Sequence, residues 1–258
     1  MKELEMAQAN LILKIRTGSK LYGTNTENSD SDYLGVFIPN KEYVLGLSKC
    51  EQVDYKTNPS DSGKRNTKTD TDMTLYSLPK FIKLCYENNP NILETLFVDK
   101  KNLLFCNEYG KRLLESAPLF VSKRVKHRFL GYAHSQRQKI LNKNPIGTRK
   151  EYVEKYGYDV KFASHLIRLI SEGLTLLVDG KLMYPIEHNR YIIGIKEGKY
   201  ELGQVLTKAD ELESLIEQAY VTSKLPHSPN YEKISELQIK LLEDFWNSKT
   251  VYNKDNVW

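Results

Sequence analysis

Gly18 and Ser19 follow a compact apolar run, Leu11 to Arg16, that stops at Thr17. A glycine at such a bend lets the backbone approach a phosphate, and a serine hydroxyl with free amides can hydrogen-bond to it. Eleven residues after Ser19 comes Asp30, followed by Ser31 and Asp32. In an extended chain, residues i and i+2 point to one side, about 6.5–7 Å apart at the α-carbons. Two carboxylates so placed can share a divalent cation while Ser31 turns away. Mg²⁺ prefers one or two carboxylates plus substrate phosphates. A phosphate cradle beside paired carboxylates has the parts that nucleotidyl transfer needs. Asn28-Ser29-Asp30-Ser31 could also be an ordinary turn. The Gly-Ser bend before it and the apolar strand after it favour the chemical reading.

The elements that must position these residues are legible nearby. Leu11 to Arg16 predicts a strand. Asp32 to Pro39 predicts a second, with one face carrying Leu34, Val36 and Ile38 and the other Tyr33, Gly35 and Phe37, as in a strand covered on both sides. Residues 58–69 are polar and read as a mobile loop. Residues 70–76 alternate and predict a third strand. Ser77 can cap a helix with Leu78, Phe81, Ile82, Leu84 and Cys85 inward, and Asn89-Pro90 opens another. Helical periodicity dominates later, over 122–141, 159–178, 203–224 and 231–248. Residues 147–149 read as a turn; 182–184 and 191–195 are ambiguous. The fold class expected is α+β: a mixed-sheet domain over 1–120, then a mainly helical domain over 121–258.

Composition bounds the rest. The chain has 258 residues, 40% apolar and 28% charged, with net charge +5. This is ordinary globular composition, not disorder. No apolar stretch is long enough to span a membrane. The acidic MKELEMAQAN start lacks signal-peptide character, so a cytoplasmic protein is expected. Cys50, Cys85 and Cys106 are odd in number and widely spaced, so three reduced thiols are expected rather than a disulfide framework or zinc site. Five histidines show no H-E-x-x-H spacing.

A Gly-Ser pair, a short helix and a D-x-D entering a strand resemble the signature of the DNA-polymerase-β-like nucleotidyltransferase superfamily. Three blocks extend the likeness: YGT followed by SDSDYLGVF, then DMTLYSLPKFIKLCYENNPNILETLF, then YGYDVKFASHLIRLISEG. They resemble the bacterial and phage nucleotidyltransferases that include RNA-ligase-associated members. The resemblance implies an α+β catalytic domain, two Mg²⁺ ions (with Mn²⁺ as substitute), an NTP substrate with ATP first, and release of pyrophosphate. It also implies a third carboxylate on a neighbouring strand. Alternation does not choose between Asp70 and Asp72. Asp72 matches the family block better and is assigned as third metal ligand and proton acceptor, with Asp70 supporting. Glu94 falls in a family block and is given a supporting role on that ground.

Two further segments carry charge. Lys161, His165, Arg168 and Glu172 form one stripe of a helix at i, i+4, i+7 and i+11. By itself this is a wet face on an amphipathic helix. The resemblance turns the segment toward the cleft, so that Lys161 and Arg168 contact phosphates with His165 beside them. Ser122 to Lys139 holds six Lys/Arg in eighteen residues, with Phe129 and Tyr132 interleaved. It suits single-stranded nucleic acid or is simply a solvated helix face. Either Tyr22 or Tyr33, which flank the motif, could stack on a base.

The expectation is thus a Mg²⁺-dependent nucleotidyltransferase. Asp30, Asp32 and Asp72 are catalytic and metal-binding; Gly18 and Ser19 hold the β/γ-phosphates. An RNA 3′ end, of tRNA or of a nicked RNA, is the first acceptor. A protein hydroxyl, giving AMPylation in a toxin–antitoxin or defence setting, is the second. A non-catalytic nucleotide- or RNA-binding module is the reading from another class.

Overall fold

The structure is a computed structural model and describes residues 2–27, 29–57, 71–141 and 148–254; the side chains of Thr148 and of 249–254 lie outside that description. Five strands form one mixed sheet: β1 (Leu11–Thr17), β2 (Ser31–Phe37), β3 (Gln52–Lys56), β4 (Thr71–Ser77) and β5 (Leu103–Cys106). The order is β3-β4-β2-β1-β5. β1 runs antiparallel to β2 and β5, β3 antiparallel to β4, and β2 parallel to β4. The first three predicted strands are β1, β2 and β4. β3 is polar and exposed, and β5, though apolar, is only four residues long, so neither stands out.

The helices are α1 (Lys2–Ala9), α2 (Gly18–Tyr22), α3 (Lys41–Leu45), α4 (Leu78–Tyr86), α5 (Pro90–Leu93), α6 (Glu108–Glu115), α7 (Arg124–Leu141), α8 (Thr148–Tyr156), α9 (Val160–Asp179), α10 (Asn189–Lys196), α11 (Leu202–Thr222) and α12 (Tyr231–Lys254). Local chemistry sets their starts. The Ser77 hydroxyl accepts from the Lys80 amide, and the Asn89 side chain accepts from the Asn91 amide with Pro90 at the first helical position. Asp159 accepts from the amides of Lys161 and Phe162 to open α9, and Gly180, in the left-handed region, closes it. A helix, α8, begins where residues 147–149 suggested a turn; TRKEYVEKY is rich in good helix formers. The loop expected over 58–69, and Asp70 with it, lies outside the described residues.

β2 is covered on both sides, as its sequence implied. Leu34, Val36 and Ile38 join the large core beneath the helices, while Phe37 packs with Ala7, Cys50 and Leu75 on the opposite face. The large core runs from Ile12 through α9 to Phe245, so strands and later helices share one apolar interior. α9 is its axis: Leu166, Leu169, Ile170, Leu176 and Leu177 are buried, each worth about 1.5–3 kcal/mol. All three cysteines are free thiols. Among the described residues no helix is long and apolar enough to cross a membrane.

Candidate active site

β1 ends at the bend where α2 begins. Gly18 has φ +67°, and a β-carbon there would lie 2.2 Å from Asp32 Oδ2. Asp32 and Asp72 are direct partners across the parallel β2–β4 pair, and Thr17 is the partner of Asp32 on the other side. Neighbouring strands lie about 4.8 Å apart, so two carboxylates and the Gly-Ser bend meet at one end of the sheet. Asp30 immediately precedes β2.

The electrostatics follow from that crowding. The Asp32 carboxyl is pushed up to about 6, first by burial and then by Asp30 and Asp72, with Lys161 and Lys20 opposing. Asp72 Oδ1 is buried with no hydrogen-bond partner, while Oδ2 lies 3.7 Å from Lys56 Nζ. Lys20 Nζ donates to Ser31 Oγ at 2.5 Å, which holds the D-x-D segment against α2. Among the described residues no three acidic, His or Cys side chains form a finished metal centre. The three aspartates are an acidic neighbourhood rather than a closed cage. A divalent cation fits it chemically: it would meet the orphaned Asp72 oxygen and relieve the repulsion on Asp32.

Lys161 and His165 project from the first turns of α9 toward this end of the sheet, close enough for Lys161 to act on Asp32. His165 is exposed by surface area, though neighbouring protein atoms and cations crowd its ring. Burial, followed by Arg168, Lys161, Lys196 and Arg149, lowers its pKa to about 3, so the ring is neutral near pH 7. Lys196, at the end of α10, was not singled out by the sequence. Its Nζ donates to Thr24 O at 2.6 Å, on the loop that follows α2. Burial and the charges of Lys161 and Arg168 lower its pKa to about 8, with Asp30 opposing. The only signal was a single Lys ending an ambiguous apolar segment.

Arg168 does not sit where a phosphate contact was expected. It is 4% exposed and donates to Glu94 Oε2 (2.6 Å), Glu172 Oε2 (2.9 Å) and Asn91 Oδ1 (3.0 Å). Its guanidinium lies 4.5 Å from the Tyr22 ring centre. Tyr22 OH donates to Glu94 Oε1 at 2.5 Å, and Tyr184 OH to the Glu94 carbonyl at 3.0 Å. Burial alone would lower the Arg168 pKa, but Glu172, Tyr22 and Glu94 carry it above the usual range. Glu172 is pushed up to about 8 by burial, with Arg168 opposing and Glu94 reinforcing. Glu94 thus joins α2 to α9 through Tyr22 and Arg168, and Tyr22 is committed to that network.

Two cations of the basic helix α7 are ion-paired. Arg137 pairs with Asp210 and Glu213, and Lys126 with Glu217, all on α11. Val125 and Phe129 are fully buried. Those two charges tie α7 to α11. Two concavities, of about 400 and 180 Å³, are lined by none of the three aspartates.

Among solved structures the chain is similar to a nucleotidyltransferase-like protein from Exiguobacterium sibiricum 255-15 (12% identity, 96% of this chain, 73% of that one, TM-score 0.31). It is also similar to spectinomycin adenyltransferase AAD(9) from Enterococcus faecialis, crystallised with ATP and spectinomycin (16% identity, 84% of this chain, 94% of that one, TM-score 0.38). A 38.9 kDa protein of the nrdC-mobD intergenic region of Enterobacteria phage T4 is 31% identical over 130 residues. That match covers 50% of this chain and 38% of the phage protein. The model of the RNA repair pathway DNA polymerase beta family matches residues 1–240. The match spans nearly the whole chain, and the chain belongs to that family.

Proposed function

We propose that the protein transfers a nucleoside monophosphate from an NTP, ATP first, to the 3′ hydroxyl of an RNA with release of pyrophosphate. The observation that carries this reading is the approach of Gly18 to Asp32 beside Asp72. A side chain at position 18 would fill the space in which phosphate oxygens could come against the carboxylates.

In this reading the free Ser19 hydroxyl and the amides of the bend take the β/γ-phosphates. Lys161 and Lys196 offset their charge, and neutral His165 offers a hydrogen bond rather than a charge. Asp30, Asp32 and Asp72 would hold Mg²⁺ (or Mn²⁺). When bound, Mg²⁺ neutralises the triphosphate and lowers the pKa of a coordinated hydroxyl. The acceptor oxygen forms a bond to the α-phosphorus as the bond to the β-phosphate oxygen breaks. The hydroxyl proton passes to the Asp72 carboxylate. Pyrophosphate leaves with the electron pair.

The experiment supplies Mg²⁺ and α-labelled NTPs together with single-stranded RNA or a protein lysate. Label in RNA that is lost in Asp32→Asn supports the proposal. Label in protein instead would move the acceptor to a side-chain hydroxyl. NTP binding without transfer under every condition would leave a binding module.

A further inference from the structure

The sheet has a second face, opposite the aspartates. Side chains directly opposite one another on paired strands share a side. Tyr55 is opposite Met73, Met73 opposite Tyr33, and Tyr33 opposite Arg16. Two residues earlier on β1, Lys14 is opposite Phe105 of β5. One band of three aromatic rings, a methionine and two cations therefore crosses all five strands. At about 4.8 Å per strand it spans about 19 Å.

Toward the other end of this face, α1 covers the apolar residues, with Ala7 in contact with Phe37 and Leu75. Met73 packs at the edge of that cluster; among the described residues the rest of the band joins no apolar cluster. Tyr33, Tyr55 and Phe105 belong to neither apolar core, and Tyr55 and Phe105 are 46% and 44% exposed. Lys14 Nζ lies over the Tyr33 ring at 5.3 Å. Neither Lys14 nor Arg16 forms an ion pair with a described residue, and Arg16 Nε is buried without a hydrogen-bond partner. The Arg16 amide donates to the Asn102 carbonyl, which places the turn carrying exposed Lys100 and Lys101 at the same end of the sheet.

We infer that this band is a docking surface for single-stranded RNA. Aromatic rings beside unpaired cations on an open sheet are the combination that stacks bases and meets phosphates. Its width suits two or three nucleotides. Lys126 and Arg137 of α7 already have acidic partners on α11, whereas both cations of this band have none among the described residues. The band is also continuous with the catalytic motif. Tyr33 follows Asp32, and Arg16 precedes Thr17 and Gly18, so a strand leaving this face need only turn the end of the sheet to reach the cleft. The inference rests on the RNA-acceptor reading and names the surface that reading lacked.

The test uses the full chain and a fluorescein-labelled single-stranded RNA of about a dozen nucleotides, followed by anisotropy across a salt series. Phe105→Ala is expected to weaken binding about tenfold. Lys14→Gln is expected to lower the slope of log affinity against log salt by about 0.7. ATP binding with Mg²⁺ and the thermal midpoint stay unchanged in both, since neither side chain is in a core. Lys126→Gln and Arg137→Gln leave RNA affinity unchanged. RNA binding that is absent, insensitive to Phe105→Ala and Lys14→Gln, or lost with the α7 variants overturns the surface. Transfer to RNA with unaltered affinity in the sheet variants removes the surface and keeps the acceptor reading. RNA held by this face while label goes only to protein keeps the surface and removes the acceptor reading.

Discussion

A β-carbon on Gly18 would stand 2.2 Å from Oδ2 of Asp32. Residue 18 also has φ +67°, where L-residues are strained. Gly18→Ala therefore faces two penalties, and the flexible partner that must give way is the central carboxylate. The expected outcome is a fall in kcat/KM of about a hundredfold or more, since displacement by about 1 Å is enough for that. Stability falls by about 1–2 kcal/mol. Steady-state kinetics and urea denaturation on the same variant check both. Unaltered kcat/KM would remove Gly18 from the site.

Lys196 gives the site a pH dependence. It faces Lys161, Arg168, His165 and Asp30. With its pKa lowered to about 8, the free protein carries its charge below pH 8 and loses it above. Affinity for the triphosphate should therefore fall as pH rises through about 8, and Lys196→Arg should hold affinity to higher pH. Lys196→Met should weaken NTP binding about tenfold at pH 7 and flatten the profile between pH 7 and 9. Calorimetric titration of a non-hydrolysable ATP analogue measures this. An unchanged alkaline limb in Lys196→Met would show that another group titrates there.

The Glu94–Arg168–Glu172 cluster makes an asymmetric prediction. One guanidinium serves two buried carboxyls, and Glu172 is held protonated up to about pH 8. Glu172→Gln replaces a mostly neutral acid by a neutral amide and should change stability by less than about 1 kcal/mol near pH 7. Arg168→Met leaves Glu94 buried without its cation and should cost about 3–5 kcal/mol. Chemical denaturation of the two variants compares them directly. Equal losses would mean that both acids are ionised at pH 7.

The strands that carry chemistry were legible because their signals are local. Leu11 to Thr17 and Ser31 to Phe37 are apolar runs bounded by Gly, Ser and Asp, and Asp72 opens the alternating run of β4. Gly-Ser followed by D-x-D is likewise read within twenty residues. Arg168 and Lys196 were not legible, for a physical reason. The partners of Arg168, Glu94 at 74 positions away and Tyr22 far upstream, are set by packing of α9 on α2 and α5. No periodicity within α9 distinguishes a buried ion pair from a phosphate contact. The pairing of Lys126 and Arg137 was hidden similarly, since their acidic partners lie on α11, some 76 residues further on for Arg137 and Glu213.

Asp32 should weaken the protein it serves. Its folded-state pKa of about 6 lies above the ordinary 3.8, so the folded chain binds that proton more tightly than the unfolded chain. The cost of ionising it is absent below about pH 4, grows between 4 and 6, and is complete above 6. Allowing for partial exposure, it amounts to about 1–3 kcal/mol. Asp32→Asn is nearly the same shape and cannot ionise. The metal-free variant should match the parent at pH 4 and exceed its stability by that amount at pH 7. Adding Mg²⁺ should raise the parent's thermal midpoint and leave the variant's nearly unmoved, because only the parent keeps the full acidic set. A variant less stable than the parent at pH 7 would show that the carboxylate is a structural hydrogen-bond acceptor, and that Asp30 and Asp72 do not press on it.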